Sequence, residues 1–242
     1  MDPSYALKYR DLYRRHWWWR VREDVILREL RHLRPEGRWG RILDVGCGDG
    51  LFFDRLSALG TVEGVEPDLT LLDAAGPWRH AIHAVPFDAR FAPNHRFGLV
   101  LMLDVLEHLD EPEAALGHAV HLLAPEGVLL ATVPAHQWLW TRHDDMNRHV
   151  RRYDRRSFRA LANRSGFEIT RERYLFQGLV PAKLVVRALE ALHPGEPTLP
   201  RLPPRPVNEI VRAIVGAEQA VNAVVSMPFG SSLLVIGRRS RE

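Results

Sequence analysis

The chain has 242 residues, 46% of them hydrophobic and 26% charged, enough to bury one substantial core and still solvate the outside. A formal net charge of +3 argues against a nucleic-acid partner, and the single cysteine, Cys47, excludes a disulfide framework and a multi-cysteine zinc site. No stretch approaches the roughly 18 to 20 uninterrupted apolar residues of a membrane span, and the N-terminus lacks the order of a secretion signal, so a cytoplasmic protein is expected.

Residues 1–38 read as an N-terminal helical cap, with Trp17, Trp18 and Trp19 packing it onto the domain or walling an acceptor pocket. The domain proper is read as 39–242. From Arg41 on, short apolar runs (41–45, 62–66, 80–85, 97–103 and 127–133) alternate with helical spacing at 51–59, 69–75 and 111–123. That alternation predicts crossover units and a parallel sheet with helices on both faces. A helix from Asp154 to Ser165, with Asp154 as its cap and Gly166 as its stop, leads into a sixth strand, 167–174. A helical, proline-rich insertion (176–228) then precedes the last apolar run, 231–237. Six prolines between Pro194 and Pro206 predict a stiff connector between helices at 179–192 and 208–225. On the first of these, Lys183, Arg187 and Glu190 share one face, apart from Leu184, Val185, Ala188 and Leu189. Packing of both helices on the core is the plain expectation, with a lid over an apolar substrate or a surface resting on a membrane as alternatives.

The chemistry begins where the first strand ends, at Asp44-Val45-Gly46-Cys47-Gly48-Asp49-Gly50. Glycines let the backbone turn sharply and approach a ligand. Glu66, at the end of the second strand and twenty residues past Gly46, can accept hydrogen bonds from both hydroxyls of an adenosine ribose. Dinucleotide folds place glycines at relative positions 1, 3 and 6, whereas Gly46, Gly48 and Gly50 fall at 1, 3 and 5. Asp44 is a poor neighbour for a pyrophosphate and a suitable one for an ammonium.

These residues resemble those of class I S-adenosylmethionine-dependent methyltransferases. DVGCGDG (44–50) is similar to their first motif, GVEPD (64–68) to their ribose-binding strand end, FGLVLMLDVLEHLDEP (97–112) to their fourth strand and GVLLATVP (127–134) to their fifth. The resemblance implies a Rossmann-like, seven-stranded sheet, mostly parallel with the last strand antiparallel, and S-adenosyl-L-methionine as cofactor. It further implies that Asp44, Gly46, Cys47 and Gly48 hold the methionine end, Glu66 and Pro67 the ribose, and Asp88, Leu103 and Asp104 the adenine and sulfonium region. The third-strand loop departs from the family pattern, because His83-Ala84-Val85-Pro86-Phe87-Asp88 stands where an acid follows a glycine.

Methyl transfer to a hydroxyl needs a base near the cofactor side of the strand ends. Asp104, Glu107 and His108 follow the fourth strand, and a dense polar stretch with His136, His143, Asp144, Asp145, His149, Arg151, Arg152 and Tyr153 follows the fifth. His143, Asp144 and His149 are the expected catalytic group, since histidine titrates near working pH and a carboxylate can orient it. For Glu107 and His108 a local hydrogen-bonding role weighs equally. No helical i, i+4 histidine pair supports a metal, and none is expected. Arginines 151, 152, 155, 156 and 159 are read as a solvated face. PAHQWLWTRHDDMNRHVRRYDRRSF (134–158), HWWWR (16–20) and PFGSSLLVIGRR (228–239) resemble a bacterial, small-molecule subgroup of these methyltransferases, without naming an acceptor. The expected acceptor is a hydroxyl of a small or lipid-linked molecule, with no nucleic-acid partner. A cofactor-binding protein without turnover and a nicotinamide enzyme are the competing readings.

Overall fold

The computed structural model describes residues 10–33, 38–193 and 201–240. A seven-stranded sheet runs through it in the order β3-β2-β1-β4-β5-β7-β6. The strands are β1 (Arg41–Val45), β2 (Thr61–Val65), β3 (Ile82–His83), β4 (Phe97–Leu103), β5 (Leu123–Pro134), β6 (Phe167–Leu175) and β7 (Ser232–Arg239). All are parallel except β7, which runs against both of its neighbours, as the sequence resemblance implies.

The unbroken apolar run of β4 follows from its central place, because both faces of the sheet are covered. On one face α3 (Pro112–Leu122) and α5 (Arg155–Arg164) bring Leu116, Val120, Phe158 and Leu161 against Leu43, Val100, Leu129 and Val235. On the other, α1 (Trp17–Leu33) seats Val25, Ile26 and Leu30 on Ile42, Leu99, Leu101 and Leu130. Fully burying each such side chain stabilises the fold by about 1.5–3 kcal/mol, so the N-terminal helix is part of the core. Asp154 caps α5 as expected, accepting from the Ser157 amide at 2.7 Å.

Two expected helices are shorter than their patterns. The 51–59 stretch yields only the single turn α2 (Phe53–Leu56), and 69–75 yields one turn at Leu69–Leu71. In the second case Asp68 caps the turn through Thr70, and Asp49 Oδ1 then takes the Asp73 amide at 2.7 Å, diverting the chain before a second turn can form. The expected 80–85 strand shrinks to Ile82–His83. A capped turn, α4 (Arg142–Met146), lies beyond β5, and α6 (Leu179–Leu192) and α7 (Arg205–Asn222) flank the proline-rich connector. Of that connector, 194–200 lies outside the described residues.

Three non-glycine residues just past parallel strand ends have positive φ: Asp104 after β4 (59°), His136 after β5 (58°) and Phe176 after β6 (60°). Such conformations cost on the order of 1–3 kcal/mol each. They bend the chain sharply at the same sheet edge where the glycine loop leaves β1.

Candidate active site

The loop after β1 is set by backbone chemistry. Gly46 and Gly48 have φ of +71° and +54°, which side-chain-bearing residues rarely adopt. The Gly46 and Cys47 amides both donate to the Val65 carbonyl, at 2.8 and 3.3 Å, tying the loop to the end of β2. The Glu66 carboxylate accepts from the Gly48 amide at 3.0 Å on one oxygen and from the Asp68 amide at 2.8 Å on the other. One bond to each oxygen fixes its plane and leaves lone pairs for two further donors. Burial raises its pKa, and the two amides pull it back. Pro67 beside it is exposed. Asp44 is buried, and burial raises its carboxyl to about 7, with Arg22 opposing and Glu66 adding to the rise. Burial drives the Cys47 thiol far up, so it stays a neutral, unreactive lining group.

Arg22, on α1, reaches the end of β4. Its guanidinium lies 2.6 Å from Asp104 Oδ2 and 3.2 Å from the Thr132 hydroxyl, which itself donates to Asp104 Oδ1 at 3.0 Å. The Trp18 ring lies beside it, 5.6 Å from centroid to guanidinium, so that one member of the tryptophan run backs this cation. Arg22 also acts electrostatically on Asp44 and Glu107. Nothing in the sequence marks it, because it is one arginine among many on a helix that precedes the motifs.

Asp144 is the centre of the polar stretch after β5. Fully buried, it takes a two-pronged arginine contact, Arg152 Nε at 2.9 Å and Nη2 at 2.7 Å, as well as the Thr141 amide at 2.9 Å. Its Oδ1 also lies 2.8 Å from His149 Nδ1. Although burial alone would raise its pKa, the hydrogen bonds from His149 and Arg152 hold it well below the usual carboxylate range. Arg152 is itself buried, which corrects its assignment to a solvated face. Arg155 and Arg159, by contrast, pair with Glu172 nearer the surface. His143 is pushed down to about 4 by burial first and by Lys183 second, so it is neutral at pH 7. Lys183, from α6, is pushed down to about 8 by burial and by Arg152. It is one of only two lysines in the chain, which is the sequence signal that could have marked it.

The expected residues therefore fall into two groups that Arg22 bridges. Asp44, Gly46, Cys47, Gly48 and Glu66 form one. Asp104 joins the other through Glu107, whose pKa burial raises well above the ordinary value, with Asp104 and Asp144 adding to the rise. The His108 and His149 rings meet edge to face at 4.7 Å, so Glu107, His108 and His149 converge. Leu103 ends β4 half-buried between the groups. Asp88 stands apart: it is exposed and paired with Arg90 at 2.6 Å, which holds its pKa down to about 2.

A family model described as a methyltransferase domain matches residues 11–172. The chain belongs to that family. It is 33% identical over 105 residues to a ubiquinone biosynthesis O-methyltransferase of Rhodopseudomonas palustris strain HaA2, covering 40% of this chain and 41% of the relative. A protein of the same name from Paramagnetospirillum magneticum is 37% identical over 97 residues, covering 37% and 38%. The chain thus spans about two fifths of the length of the curated relatives it matches. The fold is shared with a methyltransferase from Archaeoglobus fulgidus (TM-score 0.55, 14% identity, 90% and 94% covered). It is shared also with the N-methyltransferase NodS of Bradyrhizobium japonicum in complex with S-adenosyl-L-homocysteine (TM-score 0.55, 14% identity, 92% and 88% covered).

S-adenosylmethionine is the cofactor of this methyltransferase, and the residues present fit it. An ammonium group suits Asp44, a buried carboxyl that burial raises to about 7 against the pull of Arg22. A Cβ placed on Gly48 would meet no atom within 4 Å, so the loop opens onto free space beside Glu66.

Proposed function

We propose that this methyltransferase transfers a methyl group to a hydroxyl oxygen of a lipid-linked acceptor presented at a membrane surface. The observation that carries the lipid side is the set of large apolar side chains that α6, α7 and the turn after α7 leave exposed. On α6 the polar residues are engaged by the segment after β5: Arg187 donates to the Trp138 carbonyl, the Arg142 amide donates to Glu190 at 3.1 Å, and Lys183 is half-buried. On α7, Asn208, Gln219 and Asn222 are buried, and Asn222 donates to the Tyr174 carbonyl at 2.7 Å. Glu218 accepts from the Gln177 amide at 2.7 Å, and Arg212 reaches Asp24 at 3.3 Å. Val180 and Val215 are buried, but a second set of apolar residues on and just after these helices faces out, with Leu192 72%, Ile214 63% and Val224 87% exposed, joined by Leu189, Ile210 and Val221. Exposed apolar side chains in this number mark a binding face, and amphipathic helices that present them suit the headgroup boundary of a bilayer. No helix among the described residues is long and apolar enough to cross a membrane.

The oxygen acceptor is supported by the names of the relatives and by the polar cluster. When bound, S-adenosylmethionine supplies the electrophilic methyl group. In this reading Asp44 holds its ammonium and Glu66 its ribose hydroxyls. Asp144 is a positioning residue that holds His149 through Nδ1 and fixes its ring beside His108 and Glu107, the cluster at which the acceptor hydroxyl would give up its proton. His143, with its pKa near 4, is too weak a base for this task.

Two measurements check the reading. Incubation with methyl-labelled S-adenosylmethionine and lipid extract should place label in a lipid fraction, and label confined to water-soluble metabolites would sink the lipid assignment. Flotation with vesicles of phosphatidylcholine and phosphatidylglycerol should recover the wild-type chain, and the Ile210→Glu/Ile214→Glu pair should lose most of that binding while keeping cofactor affinity.

The Asp44 carboxyl gives a pH prediction. Its folded pKa of about 7 lies above the ordinary carboxylate range, so the free site gains protons as pH falls through 7. Cofactor binding needs the carboxylate, so affinity should rise between pH 6 and 8, and binding should displace a proton from Asp44. Calorimetry at pH 7 in buffers of different ionisation enthalpy measures this, and Asp44→Asn should remove that component.

A further inference from the structure

We propose that Glu107, His108 and His149 form a binding site for a divalent first-row transition-metal ion. This deepens the reading of hydroxyl methylation at the same cluster and rests on it for its purpose, though not for its chemistry. One ligand atom from each of the three residues lies within 4.8 Å of the other two. Ligand atoms about 2.1 Å from an ion stand closer together than that, so modest side-chain rotation brings the three into coordination distance.

The residue that points to an ion is Glu107. It is fully buried, and neither carboxylate oxygen has a hydrogen-bond partner. A buried polar group in that condition needs an explanation, and a carboxylate in apolar surroundings needs a cation. Arg22, the cation that acts on Glu107 electrostatically, is already engaged by Asp104 at 2.6 Å and by Thr132. A metal ion between Glu107 and the two imidazoles would satisfy it.

The backbone is arranged to hold these ligands. Glu107 and His108 sit on one short turn, Leu106–His108, directly after β4. The Val150 amide donates to the Glu107 carbonyl at 2.9 Å, and the Tyr153 hydroxyl to the Leu106 carbonyl at 3.2 Å, so the two ligand segments are stitched together. His149 Nδ1 is held by Asp144 at 2.8 Å, and Asp144 is anchored by Arg152. A carboxylate behind an imidazole fixes the tautomer that offers Nε2, the arrangement usual behind metal-bound histidines. Two imidazoles and one carboxylate favour manganese, iron, cobalt or zinc over magnesium or calcium. Three protein ligands leave positions open for an oxygen from outside, where an ion would acidify an acceptor hydroxyl. No local pattern marks this cluster, because the histidines stand forty-one residues apart and on different loops.

The test is direct. The full chain, dialysed against a chelator, is titrated with cobalt(II) and followed by visible absorption and calorimetry. The expected result is one equivalent bound per chain with a d–d spectrum. Glu107→Gln, which keeps the side-chain shape, and His149→Ala should each weaken binding by at least about tenfold while S-adenosylmethionine binding persists. No uptake by the wild type at millimolar cobalt(II), or equal uptake by Glu107→Gln, would overturn the site. Stoichiometric cobalt(II) binding without labelled product from any extract would instead defeat the O-methylation reading and leave the metal site standing.

Discussion

Glu66→Ala is expected to weaken S-adenosylmethionine binding by about 100-fold or more. Two hydroxyl-to-carboxylate hydrogen bonds at about 1.5–3 kcal/mol each amount to two or more decades of affinity. The substitution also removes the acceptor for the Gly48 and Asp68 amides, so part of the loss comes from a loosened loop. A cofactor analogue lacking the ribose hydroxyls separates the two causes. It should bind the wild type poorly and lose little more in the variant, because the pair of changes then removes the same interaction. Isothermal calorimetry on the four combinations decides this, and full additivity would show that Glu66 serves the loop alone. Gly46→Ala should be comparably damaging for a different reason. Its Cβ would meet Val105 Cγ2 at 2.8 Å, in a backbone conformation already hostile to alanine.

The second large effect is on stability. Asp144→Ala leaves Arg152 buried and without its carboxylate, with the Ala135 carbonyl at 3.0 Å as the one remaining acceptor of its side chain among the described residues. Breaking one half of a buried ion pair costs about 3–5 kcal/mol. For a chain of this size that lowers the melting temperature by roughly 10 °C or more. The pair Asp144→Leu/Arg152→Met should recover much of the loss, since an apolar replacement of both partners strands no charge. Differential scanning calorimetry on the three proteins tests this. A double variant as unstable as the single one would mean that the network serves the fold through Thr141, Gln137 and His149 as much as through the pair.

The parts of the fold legible in the sequence are those specified locally. The β1, β4 and β5 runs are apolar throughout, and a central parallel strand has no other way to be written. Glu66 and the glycine spacing are read off a contiguous stretch because the strand, the turn and the ribose-binding acid are neighbours in the chain. The failures are of another kind. Residues 69–75 have helical spacing, but Asp49 competes for the backbone amide that a second turn would need. Arg22 enters the site through the way α1 lies across the sheet, which no local pattern records. Arg152 reads as one of a run of surface arginines, and only the folded loop shows it turned inward onto Asp144. For α6 and α7 the two-sided pattern is visible in the sequence, yet periodicity alone does not say which side faces in.

The Arg22 contact bears on what counts as the smallest working unit. A chain trimmed to begin at Trp39 would keep every strand, the glycine loop and Glu66. It would also remove the one cation that acts on Asp44, Asp104 and Glu107 alike, and expose the Leu99–Leu101 face that α1 covers. The motifs that identify the enzyme and the residues that make its charge balance tolerable are thus separable by one cut. A fragment recognisable by every signature of its family would still be electrostatically incomplete.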